Sequence, residues 1–253
     1  MAEALDARIT GIHVRPQPDL FPLYRPSAVE RAYAAEATHL EWAARESEGL
    51  FQEIAAKHPG APVRWLSESG RMADALCRHA RFADLIIVGQ YEREGSPHRH
   101  PLGLAHDVVE AAARPVVVTP GSVGLFCNDH VAVAWDGSVQ AARAVREALP
   151  LLTRAKQVSI VTVIDDDVAE AEQAHGAAAL VEYLGRRGVE PELVRVRTAG
   201  GPEASGILSQ VHSTNVDLLV MGAFSRPAWM EWLLGGATVD VLRSSRAPIF
   251  MSR

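Results

Sequence analysis

Hydrophobic positions along this chain alternate between two regimes. Short, nearly unbroken apolar runs cover residues 9–14, 85–88, 116–118, 131–134, 158–164, 193–196 and 218–221. Such runs predict strands buried on both faces, as in a parallel sheet covered by helices. Between them the apolar positions recur at helical spacing. Val29, Tyr33, Ala37, Leu40, Ala44, Leu50, Phe51 and Ile54 draw one stripe along a helix predicted over 28–57. His58, Pro59 and Gly60 close it, since proline cannot continue a helix and glycine suits the residue after its end. A helix over 168–187 is closed in the same way by Gly185 and Gly188. Strand–helix alternation of this kind predicts a parallel sheet with right-handed crossovers.

The pattern repeats itself. The run DLIIVG opening at Asp84 returns as DLLVMG opening at Asp217, 133 positions later. Pro115, which leads the next strand, returns at the same offset as Pro248. A shared offset for two strands predicts duplication, with an incomplete repeat over 1–121 and a complete one over 128–253. The second repeat reads as strand 130–135, helix 139–154, strand 158–164, helix 168–187, strand 192–197, helix 203–213, strand 217–222, helix 235–244 and strand 247–252. In the first repeat, residues 9–14 match the second strand of this series. The opening strand and helix of the first repeat are therefore expected to be missing, with residues 1–7 as the tail of that helix. A central strand carries ladder bonds on both sides, and a buried unpaired backbone group costs roughly 1–3 kcal/mol. A start upstream of Met1, or a reduced domain covered by its neighbour, is expected for that reason.

The candidate chemistry lies in the second repeat. The strand that begins at His130 ends in Trp135, Asp136, Gly137 and Ser138. The strand that begins at Asp217 leads into Gly222 and Ser225, followed after nine intervening residues by Gly235, Gly236, Ala237 and Thr238. Glycines between a strand and a helix let backbone N–H groups approach a phosphate, and the helix start adds donors. Ligands of open parallel sheets bind outside the carboxyl ends of the strands. The plainer alternative is a tight strand–helix turn without a ligand.

Across nearly its whole length the chain resembles the universal stress protein family, as a tandem member whose first copy starts late. The resemblance implies two Rossmann-like domains of the adenine nucleotide alpha-hydrolase type, with parallel five-stranded sheets, the first lacking its opening strand and helix. It implies that ATP, accompanied by Mg²⁺, binds the second repeat alone. Asp136 would face the adenosine and Val163 would offer backbone contacts to the base. Gly222 would flank ribose and phosphates, while Gly235 and Gly236 would hold phosphates. The family pattern has glycine where this chain has Ser225, and Ser or Thr where it has Gly236. The hydroxyl would then come from Thr238 or Ser225. In the first repeat Glu92 replaces the corresponding glycine, so no site is expected there. The resemblance further implies that the last strands of the two repeats, at 116–119 and 249–252, pair within the chain as a built-in dimer. Whole chains could dimerise further.

The totals narrow the classes of function. A net charge of −6 and 6% aromatic residues argue against a nucleic-acid partner. No apolar run reaches the ~18–20 residues that span a bilayer. The N-terminus has no secretory pattern, and Cys77 and Cys127 read as reduced thiols, so a cytoplasmic location is expected. His98 with His100, the run of Asp165, Asp166 and Asp167, and the pair Trp229 and Trp232 are read as solvated loop, helix start and loop anchor, not as metal, Mg²⁺ or partner sites. No nucleophile elbow and no phosphate-loop lysine occur. The expected function is a stress-responsive regulatory binding protein with unidentified protein partners. A slow ATP hydrolase, a related nucleotide α-phosphate transferase and a ligand-free dimerising scaffold remain the alternatives.

Overall fold

The computed structural model describes residues 2, 5–16, 27–90, 103–120, 128–164, 167–198, 203–223 and 237–253. The chain divides into two compact units, Met1–Arg78 and His79–Arg253.

The first unit holds β1 (Ile9–Arg15), α1 (Ser27–Ala56), β2 (Val63–Ser69) and most of α2 (Met72–Ala80). β1 and β2 form a parallel pair, in register from Ile9↔Val63 to Arg15↔Ser69. α1 packs through Phe51, whose ring lies 5.0 Å from that of Trp65. Gly11 makes this contact feasible, because a Cβ there would come within 2.6 Å of the Trp65 ring. The stripe predicted on α1 is only partly covered: Leu50 and Ile54 remain 58% and 50% exposed. Ile54 instead borders an apolar cavity of about 230 Å³ with Ile9, Phe51 and Val63. β2 was not foreseen, since Val63, Trp65 and Leu66 form no continuous run and half of the strand faces solvent.

The second unit begins with β3 (Ile86–Gly89), α3 (Gly103–Ala111) and β4 (Val116–Thr119). Then follow β5 (His130–Ala134), α4 (Val139–Leu152), β6 (Gln157–Ile164), α5 (Asp167–Gly185) and β7 (Glu192–Arg197). The unit ends with α6 (Glu203–Ser213), β8 (Leu218–Gly222), α7 (Ala237–Ser244) and β9 (Ile249–Ser252). All seven strands join one sheet in the order β3-β4-β9-β8-β5-β6-β7. The five from β5 onward run parallel to their neighbours. Their unbroken apolar runs have the predicted cause: Val131, Ala132, Val133, Ile160, Leu218, Leu219 and Val220 are all 0% exposed. α4 covers one face with Ala141, Ala144, Val145, Ala148, Leu151 and Leu152, a stripe at helical spacing.

β4 pairs antiparallel with β9 through Val116↔Met251, Val117↔Phe250 and Val118↔Ile249. The two halves of the chain therefore share a sheet through their last strands. The β3–β4 register, Ile86↔Val116, returns at the same offset in β8–β9 as Leu219↔Ile249.

The first half differs from a five-stranded sheet in an informative way. Its four described strands fall into two sheets: β1–β2 stand by themselves, and β3–β4 extend the sheet of the second half. In the second half, β5 is the strand that links β8–β9 to β6–β7. No described strand of the first half occupies the equivalent place. Leu5 and Ala7 both donate to Ala2 O, so the residues ahead of β1 make a single turn.

Candidate functional site

β5 and β8 are hydrogen-bonded neighbours, with Val133 opposite Val220. The sheet order reverses between them: the chain proceeds outward from β5 to β6 and β7, then returns to β8 on the other side. A reversal of this kind opens a crevice at the carboxyl edge, because successive crossovers pack on opposite faces. Asp136 and Gly222 both stand at that edge, three and two residues past the paired Val133 and Val220.

Local chemistry fixes Asp136. Trp135 N still donates to Val161 O at 2.9 Å, completing the ladder. Gly137 then takes φ of 78°, a left-handed conformation that suits glycine, and the chain turns into α4. Ser138 caps that helix by accepting from Ala141 N at 3.1 Å. One carboxylate oxygen of Asp136, Oδ1, accepts from Ser138 N at 2.9 Å, while the residue stays exposed. The turn therefore holds the carboxylate in one place with acceptor capacity left over.

β6 outlasts β5. The last pairing between them is Ala134↔Val161, whereas β6 and β7 continue to Ile164↔Arg197. Val161 turns its carbonyl to the β5 side, where Trp135 reaches it. Strand alternation puts the N–H and C=O of Val163 on that same side, beyond the point where β5 has turned away. Its side chain is buried, 7% exposed, and lies toward α6 near Gly206. Val163 thus turns its side chain inward and its backbone to this side.

Gly222 is placed differently from the expectation of an open phosphate approach. A Cβ on it would lie 2.5 Å from Ala141 N and 2.8 Å from Gln140 Cβ. The first turn of α4 therefore rests on Gly222, and packing alone accounts for glycine here. Thr238, in the first turn of α7, is buried, 4% exposed. Ser225, Gly235 and Gly236 lie outside the described residues, as do Cys127, His98, His100, Asp165, Asp166, Trp229 and Trp232. Asp167 opens α5, with its side chain outside the description. Among the described residues no cluster could hold a metal ion, and no helix is long and apolar enough to cross a membrane.

Two features of the site escaped the sequence. Trp135 keeps its indole Nε1 buried without a hydrogen-bond partner, beside Gly176 of α5. The only sequence signal was a tryptophan next to Asp136. The end of β9 also meets α4: the carbonyl of Arg253 accepts from Arg143. Arg253 in turn reaches Glu110 O at 3.0 Å. Arginines dispersed by more than a hundred positions gave no local motif.

Strand order, crossovers and edge together define an open, doubly wound α/β protein with a crevice at the reversal of its sheet. Residues 128–253 match the family model described as the universal stress protein family. Residues 128–253 belong to the universal stress protein family. Among solved structures it is similar to a universal stress protein from Archaeoglobus fulgidus DSM 4304, at 18% identity and a TM-score of 0.73. That match covers 99% of this chain and 90% of the other. A putative universal stress protein from Pseudomonas aeruginosa UCBPP-PA14 is similar at 13% identity and a TM-score of 0.59, over 98% of this chain and 94% of that one. At these identities the likeness concerns the fold. No curated protein matches the sequence.

Proposed function

We propose that the second half of the chain binds an adenine nucleotide at the carboxyl edge of β5, β6 and β8, and that the protein works as a stress-responsive regulatory binding protein. One observation carries the reading. The exposed carboxylate of Asp136 and the backbone of Val163 face the same opening past the end of β5. A fixed carboxylate suits the hydroxyls of a ribose, which donate to it. An N–H and a C=O side by side suit the edge of a purine base, which offers an acceptor next to a donor. Ser225, Gly235 and Gly236 carry the phosphates in this reading, through backbone amides and one hydroxyl. Mg²⁺ accompanies the phosphates as their counter-ion. Gly222 flanks the ribose and phosphates in this reading, and its lack of a Cβ lets α4 start close to β8. The tandem arrangement, with domains over 1–121 and 128–253, belongs to the same proposal and is supported by the repeated register of β3–β4 and β8–β9.

Calorimetric titration of the full chain with ATP tests this. A single saturable site is expected, weakened about tenfold or more in Asp136→Ala, the loss that goes with one charged hydrogen bond. Binding that is unchanged in that variant, or no binding to the parent chain, would overturn the proposal.

A further inference from the structure

With the base at Val163 and the ribose at Asp136, the order of the strands determines what lies beyond them. β6, β5, β8 and β9 are successive neighbours in the sheet, and neighbouring strands lie about 4.8 Å apart. A ligand laid along their carboxyl ends passes from Val163 on β6 to Asp136 past β5 and on to Gly222 on β8. The next strand end in that direction is that of β9. Gly222 pairs with Ser252, and Ala223 N donates to Ser252 O at 2.9 Å, so β8 and β9 finish level.

One helix spans these two strand ends. The first turn of α4 rests on Gly222, where a Cβ would lie 2.5 Å from Ala141 N and 2.8 Å from Gln140 Cβ. Arg143 follows Gln140 by three residues, and positions so spaced share a side of a helix. Its Nη1 donates to the carbonyl of Arg253, one residue beyond the rung that joins Gly222 to Ser252. Arg143 is exposed, and no Asp or Glu side chain among the described residues pairs with it. Arg78, Arg186 and Arg253 each meet such a carboxylate. An arginine carries five N–H donors in a planar fork, and the carbonyl of Arg253 occupies one. The charge and the remaining donors suit an anion with several oxygens, which a phosphate provides.

We propose that Arg143 holds the outer phosphates of the nucleotide, and that the site thereby selects nucleoside di- and triphosphates over monophosphates. This rests on the nucleotide reading and adds to it a charged side chain from α4, opposite the glycine turn that follows β8. The first phosphate stays at Gly222. Each further phosphate extends the ligand toward β9 and brings negative charge within reach of the guanidinium. Arg143 touches neither base nor ribose, so its contribution grows with the number of phosphates.

Calorimetric titration of the full chain with ATP, ADP and AMP, by displacement where binding is weak, tests this. The parent is expected to prefer ATP and ADP to AMP by about tenfold or more. Arg143→Gln should weaken ATP and ADP about tenfold, as for one charged hydrogen bond, and leave AMP within about twofold. Arg143→Lys keeps the charge without the fork and should lose less than Arg143→Gln. Equal weakening of AMP and ATP in Arg143→Gln would sink the proposal, and so would ATP binding unchanged by that substitution. If Asp136→Ala still weakens all three nucleotides in that event, the nucleotide site stands and the role of Arg143 alone falls. A parent chain that binds none of the three overturns both.

Discussion

Single residues carry most of the discriminating power in this molecule. Gly222 and Gly89 occupy equivalent ends of β8 and β3, yet among the described residues a Cβ meets backbone at 2.5 Å in one and nothing within 4 Å in the other. Gly222→Ala is therefore expected to cost about 1–3 kcal/mol of stability through overpacking. Gly89→Ala should stay within about 0.5 kcal/mol of the parent. Urea melts of the two variants check this, and equal effects would contradict the packing role of Gly222. The same contrast shows why loss of ligand binding on changing Gly222 would say nothing about ligand contact. Asp217→Ala frees the N–H groups of Asp129 and His130, and a loss of about 1–3 kcal/mol is expected in the same melts.

At the scale of elements, β1 carries a histidine whose titration bears on stability. His13 lies on β1, 6.4 Å from the ring of Trp65, and its pKa is lowered from the ordinary 6.5 by burial first and by the charge of Arg15 second. The folded state holds this proton less tightly than the unfolded chain does. The corresponding stability is present above pH 6.5 and is lost as the pH falls through the lowered folded value. Unfolding by urea at descending pH should show this loss, and His13→Phe should flatten it. An unchanged slope in that variant would contradict the assignment. The elements also show how far the sequence could be read. β5, β6, β8 and β9 were legible because strands buried on both faces write continuous apolar runs. The helices between them ended within two residues of the predicted positions. β2 was not legible, since a half-exposed strand of a two-stranded sheet needs no run. The ends of β5 and β6, and so the chain positions of Asp136 and Val163, were legible because strand ends are set by the runs. The burial of Thr238 and the seating of α4 on Gly222 were not, because both depend on contacts between distant parts of the chain.

On the scale of the whole molecule, the antiparallel seam between β4 and β9 joins the two halves, and its centre is a core position. Phe250 pairs with Val117 and is 2% exposed. Phe250→Ala removes a large buried ring at this seam and is expected to cost about 3–5 kcal/mol. Exchange protection should fall in β4 and β3 along with β9, and a loss confined to β9 would contradict a shared sheet. The seam also consumes two sheet edges that would otherwise invite association. The proposed nucleotide site lies at the carboxyl ends of β5, β6 and β8. Amide resonances followed by NMR during titration with ATP test that assignment most directly. Saturable shifts are predicted at Asp136, Gly137, Ser138, Val163 and Ile164, with β1 and β2 unaffected. Shifts centred on the first unit, or no saturable shift at Asp136 and Val163, would contradict it.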